Sequence, residues 1–163
     1  PMQRYLTPLA LSLLLSTAAF AQESDRIKEI TVEMDLTAIV NPEAAKRFGT
    51  LATDLQGAIA ARLADRIGEE GRKLTVDISE AELSNAFTGP MGIAESKLVG
   101  LVHVTDENDA THFNTYTLTV TIDQARAFFP PETDEATLTA SSDAYYVSLI
   151  SAFAEAVAVR IDD

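Results

Sequence analysis

"NTYTLTVTID", residues 114 to 123, alternates strictly between polar and apolar side chains. Successive residues of an extended chain point to opposite faces, so Tyr116, Leu118, Val120 and Ile122 share one side and Thr115, Thr117, Thr119 and Thr121 the other. The apolar side needs a core against it, whereas threonine is content in water. A strand buried on both faces, as in a doubly covered parallel sheet, would read as a continuous apolar run. This stretch therefore predicts a sheet with helices on one face only.

The neighbouring segments extend the pattern. "SKLVGLVHVT" (residues 96–105) and "KLTVDI" (73–78) read as further strands, and "ITVEMDL" (30–36) as another, with Ile30, Val32, Met34 and Leu36 facing the core. Between the first two strands in chain order, Asn41 and Pro42 open a helix, the amide as N-cap and the proline at the first helical position. Phe48, Leu51, Ala52, Leu55, Ile59, Leu63 and Ile67 recur at helical spacing, and Gly71 is placed to close the helix in the left-handed conformation. A second stripe of Gly49, Thr53, Gly57, Ala60, Ala64 and Gly68 runs beside it. Small residues in line predict close approach of another element, and the natural partner is Ala154 and Ala158 on a C-terminal helix. That helix is capped by Ser141 or Ser142 and buries Tyr146, Leu149, Ile150, Phe153, Val157 and Ile161. The order is β-α-β-loop-β-β-α, an α+β fold in which a mainly antiparallel sheet of about four strands carries two helices on one face.

Both histidines lie in "HVTDENDATHFN", residues 103–114, the predicted hairpin between the last two strands. A turn near Asn108 sets His103 beside Phe113 and His112 beside Val104, on different faces of the sheet. Aspartate and asparagine at a hairpin tip follow from turn chemistry alone. The competing expectation is a metal site built from His103, Asp106, Asp109 and His112, which requires the loop to fold back until three or four ligands converge. A calcium loop of the EF-hand kind fits less well, because "DENDATHFNTYT" lacks both the sixth-position glycine and the closing glutamate.

Other chemistry is hard to place. The sequence has no G-x-S-x-G, S-x-x-K or H-E-x-x-H, no cysteine, and no glycine-rich phosphate loop after a strand. Asp35 and Asp77 on neighbouring strands are read as solvated carboxylates on the outer face. No cofactor is expected. Two segments are candidate partner contacts. The connection at residues 79–96 is long for a compact domain and carries Phe87, Met91 and Ile93 after a capping box at Ser79 and Glu82. "ARAFFPPETDEATL" (125–138) sets Phe128 and Phe129 before two prolines. The strand at 97–105 is apolar on both faces, so a cover is expected over Val99 and Leu101, supplied by Phe128 and Phe129 or by a second protein.

The start of the chain sets the expected location. Residues 1–21 combine Arg4, an apolar run from Leu9 to Leu15, and small residues at Ala19 and Ala21, the layout of a secretory signal peptide cleaved after Ala21. Residues 22–28 form a polar lead and residues 29–163 one domain. No other segment approaches the about 20 apolar residues of a membrane span. With no cysteine, neither a disulfide nor a cysteine-linked lipid is available. The formal net charge of −13 opposes nucleic acid and anionic lipid surfaces. A periplasmic or secreted protein is expected.

Across residues 29–161 the order of elements resembles small envelope-accessory domains, such as the amino-terminal domain of TolB and some auxiliary lipoproteins of transporters. No motif is shared and no site residue carries over; the missing cysteine departs from the lipoproteins. Residues and resemblance together lead to the expectation of a non-catalytic envelope protein acting in binding or assembly, with another envelope protein as partner. A metal-binding protein or metal-dependent enzyme using the acidic hairpin is the alternative.

Overall fold

The computed structural model describes residues 25–80 and 96–163. The signal segment 1–21, the first part of the polar lead, Glu82, Phe87, Met91 and Ile93 lie outside the described residues. The elements are β1 (Ile27–Glu33), α1 (Pro42–Arg47), α2 (Leu51–Arg62), β2 (Arg72–Ile78), β3 (Lys97–Asp106), β4 (Phe113–Thr121), α3 (Ile122–Ala125) and α4 (Asp143–Val159). The four strands form one sheet in the order β1-β2-β3-β4. β1 runs parallel to β2, and the other two pairings are antiparallel. The α+β architecture read from the alternation is the one observed.

The buried apolar positions of the strands converge on one side. Leu74, Val76, Ile78, Leu98, Val102, Val104, Leu118 and Val120 are buried there beneath Leu51, Leu55 and Ile59 of α2, Leu63 just after it, and Leu149, Phe153 and Val157 of α4. α2 contacts β1, α4 contacts β3 and β4, and the two helices contact each other. Hydrogen bonds tie the helix layer together at its polar rim. The Tyr146 hydroxyl donates to Asp54 at 2.6 Å, and Arg62 pairs with Glu155 at 3.0 Å. Buried Ser148 donates to the Phe128 carbonyl at 3.1 Å, anchoring the segment that follows α3.

Several boundaries differ from the sequence reading. β1 stops at Glu33 because Asp35 turns the chain: its carboxylate accepts the Thr37 N–H at 2.9 Å, leaving Leu36 exposed. Asn41 caps α1 as expected, accepting from Glu43 and Ala44. The single long helix, however, is two, broken at Phe48–Thr50, and α2 ends at Arg62 with Leu63 as its C-cap. Gly71 does not close it. Gly71 has φ +130° at the entry to β2, where a side chain would meet the Arg26 carbonyl oxygen at 2.2 Å, so the requirement for glycine is a close backbone approach. The small-residue stripe does not form a helix contact at its centre either: a Cβ on Gly57 would touch nothing within 4 Å. Ser142 is the N-cap residue of α4, yet its hydroxyl accepts from the Thr139 N–H at 2.9 Å and makes no cap bond to the helix.

Candidate functional site

Two places answer to the sequence expectations, the hairpin tip and the open sheet face. At the tip, β3 and β4 pair two residues further along than the turn chemistry suggested. His103 stands opposite Thr115, and Thr105 opposite Phe113. The shift is even, so His103 keeps the face expected of it, whereas His112 falls in the turn outside the paired residues. The turn is made locally: Asp106 accepts the Asn108 N–H at 2.9 Å, and Asp109 accepts the Thr111 N–H at 3.0 Å and its hydroxyl at 2.5 Å. The Thr111 hydroxyl, more than any other neighbour, draws the Asp109 pKa below its ordinary value.

The four residues proposed as metal ligands are not brought together. His103 is on the outer face with its Nδ1 2.9 Å from the Thr115 hydroxyl. His112 lies in the loop with its Nδ1 3.3 Å from Asp109. Asp106 is buried and committed to the turn. Among the described residues no group of three or more histidine, aspartate or glutamate side chains is arranged to hold a metal ion.

Within the hairpin loop, the carboxylate that gathers cations is Glu107. Its carboxylate is held by Lys28 from β1 and by Lys73 from β2, the latter at 2.6 Å. These hydrogen bonds, Lys28 foremost, pull its pKa down to about 2. The pair fastens the start of the hairpin loop across the sheet. Behind the tip an open depression of about 370 Å³ is lined by Val104, His112, Phe113, Ile161 and Arg72 among others. Arg72 is spent there on the Ile161 carbonyl at 2.7 Å and on Asp162 at 3.0 Å.

The outer face of the sheet is the larger feature. Its rows run Glu29–Lys73–Thr105–Phe113, Thr31–Thr75–His103–Thr115 and Glu33–Asp77–Leu101–Thr117, with Val99 beside Thr119 beyond them. The β1 and β2 half carries charge; the β3 and β4 half carries none between Val99 and Thr105 or from Phe113 to Thr121. Leu101 is 37% exposed and Phe113 70% exposed. Phe128 and Phe129 do not supply the expected cover, since both pack against the core on the helix side. Phe113 was legible as an outer-face residue, having the same parity as the four threonines that follow it. Among the described residues no helix is long and apolar enough to cross a membrane.

No protein-family model matches the chain, and no curated protein does. Among solved structures, the chain is similar to a Caulobacter crescentus protein assigned as a lipoprotein, with 12% identity and a TM-score of 0.42 over 82% of this chain and 85% of that one. It is similar to PelC from Paraburkholderia phytofirmans, described as a dodecamer, with 11% identity and a TM-score of 0.41 over 83% and 86%. A Xanthomonas campestris protein of the DUF330 family aligns with 13% identity and a TM-score of 0.40 over 84% of each chain.

Proposed function

We propose that this chain is a non-catalytic protein of the bacterial envelope, exported to the periplasm, that works by binding another protein through the outer face of its sheet. One observation carries the reading: half-buried Val99 and exposed Leu101 and Phe113 stand in an uncharged threonine field on a face that both helices leave open. Such a face combines an apolar centre with hydroxyl groups able to donate and accept around it, the pattern of a contact surface with a polar rim. The chain's net charge of −13 opposes nucleic acid and anionic lipid as occupants. Glu33 and Asp77 border the apolar patch on the β1 and β2 side, which favours a partner whose contact surface is apolar at its centre and basic along one margin.

The test uses the exported full chain in its native envelope. A photo-crosslinking residue at position 101 is expected to give one discrete adduct, and the same residue at position 69, in the loop after α2, none. Leu101→Arg is expected to lose the partner while keeping the wild-type melting temperature. A partner still captured with arginine at 101, or adducts from position 69 alone, overturns the reading.

A further inference from the structure

The two edges of the sheet are treated differently by the sequence. β1 carries Lys28, Glu29 and Glu33, has a register irregularity between Ile27 and Glu29, and offers its Val32 N–H to the Gln56 side chain at 3.1 Å. Charges, bulges and capped donors are the usual means of keeping an edge from pairing with another chain. From Phe113 to Thr119, β4 has none of them. Its nine residues, Phe113–Thr121, contain no charge, no proline and no register shift against β3.

The direction of the peptide groups on β4 follows from one bond. Ser79 continues the β2 register opposite Val99 and donates its N–H to the Val99 carbonyl at 2.8 Å. Directly opposed residues that share such a bond alternate with those that do not. The odd-numbered residues of β3 therefore aim their peptide groups at β2, and the even-numbered ones at β4. On β4 the partners of those even residues are Asn114, Tyr116, Leu118 and Val120. The peptide groups of Phe113, Thr115, Thr117 and Thr119 consequently point outward. Among the described residues nothing bonds to them. Thr121, next in the series, has its N–H capped by Gln124 at 2.8 Å, as an outward-facing group must if it is to be satisfied locally.

We infer that this edge pairs with a second copy of the chain, β4 against β4, antiparallel about a twofold axis at Tyr116. The register follows from the free groups. Pairing Thr115 with Thr117 and Phe113 with Thr119 uses all four outward residues of each copy and leaves the capped Thr121 undisturbed. Threonine then meets threonine, and an aromatic ring meets threonine, across the outer face, both favourable cross-strand pairs. Across the outer face no charge meets its like, although each chain carries −13. An edge without charge gives a foreign strand nothing to be selected by, whereas a twofold pairing is self-complementary by construction. The Tyr116 ring does not obstruct the axis, because the Arg160 guanidinium lies 3.7 Å from its centre and holds it on the helix side. The inference concerns the peptide edge and stands apart from the face proposed above as a contact for another protein.

Sedimentation of the purified full chain at rising concentration, with hydrogen exchange followed at single amides, tests it. The wild type is expected to reach twice the chain mass, with the amides of Thr115, Thr117 and Thr119 slowed in step. Thr117→Pro removes a donor that points away from β3, a position where an edge strand tolerates proline, and is expected to return the mass to that of one chain. Thr117→Lys, which keeps the N–H but sets charge on the edge, is expected to do the same should proline disturb the strand. A wild type that stays monomeric overturns the inference. If its edge amides are slow the chain's own segments cover them, and if they are fast the edge belongs to some other occupant or to none. A dimer that survives both substitutions also overturns it, since the contact then lies elsewhere.

Discussion

Replacing Gly100 by alanine asks whether the helix layer sits as close to the sheet as its packing implies. Gly100 is on the helix-facing side of β3, between Ile78 and Leu118. A Cβ there would lie 2.8 Å from Cζ of Phe153, 3.1 Å from Cγ1 of Val76 and 3.3 Å from Cδ1 of Ile78. Carbon atoms prefer separations of about 3.5–4.0 Å, and all three neighbours are at most 1% exposed. The ring of Phe153 has to move, and α4 with it. Overpacking of this kind costs about 1–3 kcal/mol, while alanine recovers about 0.4–1 kcal/mol by restricting the unfolded chain. The net expectation is a loss of roughly 1–2 kcal/mol, read in urea unfolding as a lower midpoint at unchanged slope. Phe153→Leu removes the atom responsible, so Gly100→Ala should cost measurably less in that background, a coupling that a double-mutant cycle isolates. An alanine variant as stable as the wild type, or an equal cost in both backgrounds, would show that α4 does not rest on Gly100.

Gly57, by contrast, meets nothing, so Gly57→Ala should raise stability by up to about 1 kcal/mol in the same assay; a loss would return the residue to a helix contact. Changing both His103 and His112 to glutamine should shift stability by no more than about 1 kcal/mol. Zinc should not raise the melting temperature of either protein, and a rise confined to the wild type would restore the metal reading. Glu107, with its pKa pulled down to about 2 by Lys28 and then Lys73, should contribute stability that is fully present above the ordinary glutamate range near 4.5 and is lost as the pH falls toward 2. Carboxyl chemical shifts followed by NMR should place its midpoint near 2 and move it upward in Lys28→Met; an unmoved midpoint would mean that Lys28 does not hold it.

What the sequence revealed and concealed divides along physical lines. Alternation reports which face of a strand is wet, and it identified the open threonine face and the burial of Leu118 and Val120. It says nothing of where a strand stops, so the apolar pattern ran on to Leu36 past the turn at Asp35. The small-residue stripe failed for a related reason. It was drawn on one continuous helix, but Gly49 falls in the break between α1 and α2, and Ala64 and Gly68 lie beyond α2. Gly57, left without neighbours in line, faces open space. Gly100 went unremarked although its lack of a side chain admits Phe153, because a glycine in a strand signals close approach without saying of what.

The acidic composition explains why the candidate site was the least legible part. Part of this chain's negative charge is spent on its own backbone: Asp35, Asp106, Asp109 and Asp134 each accept an N–H two residues ahead, at Thr37, Asn108, Thr111 and Ala136. A carboxylate engaged in a turn looks, in sequence, the same as one waiting for a metal, and only geometry separates them. The surfaces left to act on other molecules are a field of threonines and a row of outward peptide groups. Neither makes a motif, because threonine on an outer face is also ordinary strand chemistry and a peptide group is common to every residue. What distinguishes β4 from Phe113 to Thr119 is the lack of the charges, capped donor and register shift that guard β1. That signal is a contrast between two edges of one sheet, and it exists only once the strand order has put β1 and β4 at opposite ends.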